Sequence, residues 1–105
     1  MSERVARFTV SRALNEEFRN LSGTRRDMTL AFRDALDEVL AKGEPPKLKD
    51  PRPGIIVHVS RRLTEEQWDE LHERAEYFGD MTRWLRGAIE LAVTRMKARK
   101  RKDAA

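Results

Sequence analysis

The 105-residue chain carries 22 Lys+Arg against 18 Asp+Glu, no Cys, and 39% hydrophobic residues. That length fits one small domain and leaves little room for a two-lobed catalytic cleft, and the lack of Cys removes disulfides, thiolate zinc ligands and thiol nucleophiles together. No apolar run approaches the roughly 20 residues that span a bilayer, and the first ten residues lack the basic-then-apolar layout of a secretory signal, which predicts a cytoplasmic protein with no membrane partner.

In chain order, the first predicted element is a strand over Arg4–Arg12. Ala6, Phe8 and Val10 alternate there with Arg7, Thr9 and Ser11. A helix is predicted to open at Asn15, whose side chain is a good N-cap, with two glutamates behind it for the helix dipole. It carries Phe18 and Leu21 and is expected to be cut short at Ser22-Gly23. A second helix follows, with Met28, Ala31, Phe32, Ala35, Leu36, Val39 and Leu40 as a broad apolar stripe. Gly43 suits the left-handed stop of that helix. All four prolines fall between Pro45 and Pro53, which predicts a stiff, extended linker over residues 44–54.

A second strand is predicted over Ile55–Arg61, with Ile55, Val57 and Val59 alternating with Ile56, His58 and Ser60. Thr64 then caps a helix, and Gln67 stands at capping-box spacing from it. That helix places Trp68, Leu71, Ala75 and Phe78 on one face. The last predicted helix carries Met81, Trp84, Leu85, Ala88, Ile89, Ala92 and Val93, again as a core stripe. Residues 95–105 form a basic tail in which Arg95, Lys97, Arg99, Lys100, Arg101 and Lys102 meet a single Asp103. Its +5 leaves residues 1–94 at −1 within the total of +4. Such a tail attracts polyanions, and it is equally the ordinary composition of a solvated helix end.

The chain also resembles itself. Val10-Ser11-Arg12-Ala13-Leu14-Asn15-Glu16-Glu17 recurs as Val59-Ser60-Arg61-Arg62-Leu63-Thr64-Glu65-Glu66, at an offset of 49 residues. Asp27-Met28-Thr29 recurs as Asp80-Met81-Thr82 within a longer similar block, at an offset of 53, so the spacer is expected to grow by four. Two copies of strand-helix-helix can pair their strands and bury their helices together, where one copy alone leaves its strand unpaired. The expected fold class is therefore α+β and mostly helical. It comprises repeats over residues 1–43 and 55–94, folding as one pseudo-twofold domain with an antiparallel two-stranded ribbon and four helices. In that arrangement Arg12 and Arg61 fall in the core-facing row, so the strands are expected to end or bulge before them.

This arrangement resembles the ribbon-helix-helix family of MetJ- and Arc-type repressors, as a tandem copy in one chain similar to some TraY-type conjugation proteins. The residues that carry the resemblance are Val59 with Arg61-Arg62-Leu63-Thr64-Glu65-Glu66, then Arg74-Ala75-Glu76 before Gly79, then Asp80 to Ile89. The resemblance implies a ribbon that enters the major groove of double-stranded DNA. It implies base reading by Arg7, Thr9 and Ser11 on one arm and His58, Ser60 and Arg62 on the other, with Arg62 able to bond guanine's two acceptors. It further implies phosphate contacts at the second-helix N-termini, where Thr29 and Thr82 take the small hydroxyl position beside Arg25, Arg26 and Arg83. Arg12, Arg61, Lys97, Arg99, Lys100, Arg101 and Lys102 are expected to add backbone contacts that position without specifying. Asp27 and Asp80 would repel phosphate there unless turned into capping.

The expected function is a sequence-specific transcriptional regulator, with repression leading, associated with a bacterial nucleoid or plasmid. Further copies on adjacent sites and a transcription or conjugation protein are its expected partners. Because the arms differ, with Ala13 standing where the other copy has Arg62, the expected site is not a palindrome. An accessory role in plasmid conjugation (a relaxosome component) or partition, with Glu65, Asp69, Glu73 and Glu76 as a partner surface, is the second reading. An antitoxin-like interaction module is the third. No enzyme, cofactor or metal is expected. His72-Glu73-Arg74-Ala75-Glu76 misses the zinc-protease pattern by its second imidazole, and no Gly-rich phosphate loop occurs among five glycines.

Overall fold

The computed structural model describes residues 3–49, 54–75 and 78–104, with side chains for all of these but 78–80 and 102–104. The order is β1 (Glu3–Ser11), α1 (Arg12–Ser22), α2 (Arg25–Ala41), β2 (Ile56–Thr64), α3 (Glu65–Arg74) and α4 (Phe78–Ala104). The architecture is α+β and mostly helical, a two-stranded antiparallel ribbon packed on four helices. Among the described residues no helix is long and apolar enough to cross a membrane.

The ribbon follows from alternation. Glu3 pairs with Thr64 and Ser11 with Ile56, so Arg7 and Ser60 face each other at its centre. One row (Ala6, Phe8, Val10 and Leu63) is buried against the helices, and Val57 and Val59 pack partly on the same core. The other row stays outside. Below the ribbon, Phe18, Phe32, Leu36, Leu40, Leu71, Trp84, Leu85 and Ile89 make one continuous core. Phe8 stacks on Phe32 with ring centroids 6.3 Å apart, joining ribbon to helix. The expected stripes of α2 and α4 are all buried or packed against this core.

Helix ends are set by local hydrogen bonds. The Leu14 amide donates to Ser11 Oγ at 3.2 Å, which starts α1 at Arg12. Thr64 and Gln67 form a reciprocal capping box, each backbone amide donating to the other's side chain at 3.1 Å. Gln67 is the one buried polar side chain among the described residues, and its Nε2 donates to the Arg33 carbonyl and to Asp37 Oδ1. It thereby ties α3 to α2. Gly43 ends α2 at φ 72°, a left-handed conformation that side chains resist, as expected from the sequence.

Several sequence expectations are corrected. Ser11, not Asn15, caps α1, because the strand's last hydroxyl reaches the Leu14 amide first. The first helix does stop at Ser22 with Gly23 as its C-cap, as expected, but its earlier start gives it 11 residues against 10 in α3. Phe78 belongs to α4, since α3 ends at Arg74. β1 and β2 start at Glu3 and Ile56, α1 and α3 at Arg12 and Glu65, and α2 and α4 at Arg25 and Phe78, each 53 residues apart. The offset of 49 in the Val-Ser-Arg match, and the growing spacer it implied, do not describe how the elements align.

β1 ends at Ser11, just before Arg12, as expected, but β2 neither ends nor bulges before Arg61. β2 runs on to Thr64, and Arg61 is accommodated on the helix side of the ribbon. The expected boundary at residue 95 falls inside α4, a single helix of 27 residues. Arg95 pairs with Glu38 of α2 and Lys97 with Glu17 of α1, and these contacts hold the helix against the body. The described start of the linker, through Lys49, likewise lies on α4. Arg83 Nε donates to the Pro46 carbonyl at 3.1 Å, and the Lys49 amide donates to Glu90 Oε1 at 2.7 Å. Between them Pro46 packs so closely that a Cβ on Gly87 would stand 2.4 Å from its Cγ.

Candidate nucleic-acid interface

The outward row of the ribbon is the most distinctive surface. Its cross-strand pairs, in order, are Glu3 with Thr64, Val5 with Arg62, Arg7 with Ser60, Thr9 with His58, and Ser11 with Ile56. Arg7, His58, Ser60 and Arg62 are exposed, and 70% of the Arg62 side chain is accessible. Arg62 lies 3.9 Å from Glu3 Oε2, an exposed pair that solvent largely screens.

Two of the predicted readers are engaged internally. The Thr9 hydroxyl accepts from Arg86 Nη2 at 2.6 Å, and the Thr9 carbonyl accepts from Arg86 Nε at 2.7 Å. The Ser11 hydroxyl is the α1 cap. Both residues are half-buried. On the other arm, Arg33 Nε donates to the Arg62 carbonyl at 3.2 Å, and its Nη2 meets Glu3 Oε1 at 3.0 Å. Each strand is thus braced from below by one arginine of α2 or α4. This fixes the backbone that presents the outward row, because a guanidinium fork holds two acceptors in one geometry.

The structure divides the predicted phosphate-contacting residues. Arg12 is exposed in the first turn of α1 and pairs with Glu16. Arg25 and Arg26 occupy the exposed first turn of α2, after the Thr24 cap whose hydroxyl accepts from the Asp27 amide. Thr29 and Thr82 lie a full turn inside their helices, so their amides are not free N-terminal donors. Arg83 holds the linker. Lys97 is paired with Glu17, while Arg99, Lys100 and Arg101 are exposed. The side chains of Lys102 and Asp80, together with Glu76, lie outside the described part of the molecule.

Arg61 is not on the outward face. Its Nη2 donates to Asn15 Oδ1 at 2.6 Å, and its guanidinium sits 5.6 Å from the Phe18 ring centroid. Burial, and secondarily the Arg19 charge, push it below the usual arginine range.

Tertiary structure adds a cluster that the sequence left dispersed. α4 returns its basic end to the start of α2, where Asp27, Leu30 and Asp34 face Arg95, Arg99 and Lys100 across a groove of about 570 Å³. Arg99 and Lys100 therefore reach the side of α2, whose first turn holds Arg25 and Arg26. Two outward ribbon residues were also missed by the sequence-based site assignment: Val5 is 49% exposed and Ile56 60% exposed, with Ile55 beside it at 62%. Ile56 shares the alternating row of His58 and Ser60, and Val5 that of Arg7, so alternation is the signal that finds them.

The near-zincin segment has another use, since the His72 ring packs edge-on to Trp68 with centroids 4.5 Å apart. Among the described residues no three His, Cys, Asp or Glu side chains converge as a metal site. The chain matches no family model, and neither the curated proteins nor the solved structures return a match.

Proposed function

We propose that the chain is a tandem ribbon-helix-helix protein that binds double-stranded DNA sequence-specifically and regulates transcription, with repression as its leading use. The observation that carries this reading is the ribbon's outward row, where Arg7, His58, Ser60 and Arg62 stand exposed on a two-stranded element braced from behind. A two-stranded ribbon fits the major groove, and arginine on it matches the two acceptors of guanine. Arg25, Arg26, Arg99, Lys100 and Arg101 would contact phosphates beside it and set register.

The two halves of the chain are, on this proposal, copies related by a pseudo-twofold axis. Equal spacing of the elements supports it, as does the bracing. Arg33 and Arg86 lie 53 residues apart, and so do the carbonyls they hold, Thr9 and Arg62. With the same spacing Arg7 corresponds to Ser60, its direct cross-strand partner, so the axis would pass between them.

The test is selection from a random duplex pool at physiological salt, run on the wild-type protein and on Arg62→Ala. An enriched sequence whose preference relaxes in Arg62→Ala is the expected outcome. Salt must be held near physiological strength because the cations alone give unspecific binding at low salt. No enrichment in the wild-type protein would refute the proposal.

A further inference from the structure

We infer that the ribbon reads a directional site, with a guanine at one end contacted by Arg62 and a thymine methyl at the other contacted by Ile56. This rests on the DNA-binding reading above and says what kind of sequence is bound and in which orientation. The two ends of the outward row differ in chemistry. Towards one end, one pair in from Glu3 and Thr64, Arg62 stands opposite Val5, with Arg7 next along the row. At the other end Ser11 and Ile56 are paired, with Thr9 and His58 adjacent.

At that second end the hydroxyls of Thr9 and Ser11 are already bonded inside the protein. The outermost exposed group there is Ile56, 60% accessible and continuous with Ile55. An apolar side chain on a groove-facing ribbon recognises the C5-methyl of thymine, the one apolar group that the major groove displays. Arg62 instead offers parallel donors for guanine O6 and N7. The two pairs stand six positions apart along the strands. That is about 20 Å, or roughly six base pairs.

A second copy of the chain is the competing occupant of Ile56, but the surface is poorly suited to it. Val5 and Ile56 lie towards opposite ends of the row, separated by Arg7, Ser60, Thr9 and His58. Stacking two ribbons face to face about a twofold axis would bring like-charged arginines together over a broken apolar surface.

The experiment takes the selected duplex and replaces each thymine with uracil, which removes the methyl, and each guanine with 7-deazaguanine, which removes N7. Affinities are measured for the full-length wild-type protein, Ile56→Ala and Arg62→Ala. Uracil at one flank is expected to weaken wild-type binding about threefold to tenfold and to have no effect on Ile56→Ala. A 7-deazaguanine at the other flank is expected to cost about tenfold, and to cost Arg62→Ala nothing.

A twofold-symmetric consensus, both penalties on one flank, or a uracil penalty that survives in Ile56→Ala would overturn the inference while leaving DNA binding intact. A mass doubling at micromolar concentration that Ile56→Ala abolishes would overturn it in favour of self-association. Failure to enrich any sequence would remove this inference together with the function on which it rests.

Discussion

Arg61 shows how one position decides between roles that look alike in the sequence. It sits in a run of exposed-looking cations, Arg61-Arg62, yet ribbon pleating sends the two in opposite directions. Arg62 goes outward, and Arg61 goes inward to Asn15 and the Phe18 ring. Its stem covers apolar surface while the guanidinium stays partly desolvated, so its charge is an expense and its packing a gain. Arg61→Met keeps the volume and removes the desolvated charge. Denaturant unfolding is expected to place its stability within about 1 kcal/mol of wild type, and titration with the selected duplex should find affinity within about twofold. The sign of the pH effect follows from the lowered pKa. The folded state holds this proton less tightly, so the penalty is fully present below the folded value and is relieved only as pH rises through it, in the alkaline range. The stability difference between Arg61→Met and wild type should therefore be the same at about pH 6 and about pH 8.

Among the elements, α4 carries the most connections. One face joins the core through Trp84, Leu85, Ala88 and Ile89. A flank braces β1 through Arg86, and another face holds the linker at Arg83, Gly87 and Glu90. Gly87 costs helix propensity of about 1 kcal/mol relative to Ala, and the close approach of Pro46 explains why no side chain stands there. Gly87→Ala should therefore fail to deliver that propensity gain. A net loss of about 1–2 kcal/mol is expected by thermal or denaturant unfolding, from overpacking against the proline ring. Adding Pro46→Gly should recover most of it, and a double mutant no more stable than Gly87→Ala alone would show that the linker contact is not the cause.

For the whole molecule, the basic end of α4 matters by where it arrives. As a tail it would be a diffuse attractor of polyanions. As the last turns of a helix lying beside α2, it holds Arg99 and Lys100 across a groove from Asp27 and Asp34. Replacing Arg99, Lys100 and Arg101 together by Gln is expected to weaken binding to selected and random duplexes alike. The salt slope should fall by up to about 3, near 0.9 for each lost phosphate contact. The enriched sequence should not change, because these contacts position without reading bases. A changed consensus would place one of the three cations in the groove itself.

Local chemistry made much of this legible. The apolar stripes of α2 and α4, the Thr64–Gln67 box and Gly43 each depend on neighbours within a few residues and are found where the pattern put them, and alternation located both strands though β2 runs three residues further, to Thr64. The α1 cap was misread because Ser11 satisfied two local rules at once, as an outward strand residue and as a cap, and only the completed turn decides between them. What the sequence by itself determined was the element types, the core stripes and the outward phase of Arg7, His58, Ser60 and Arg62. Tertiary structure alone decided that the Thr9 hydroxyl is taken up by Arg86, that Arg61 is enclosed while Arg62 is presented, and that Pro46, Lys49 and the basic helix end lie against α4 and α2. Those outcomes are fixed by contacts between residues far apart in the chain, such as Arg61 with Asn15 and Arg86 with Thr9. No local pattern encodes such partners, because they meet only when the core closes.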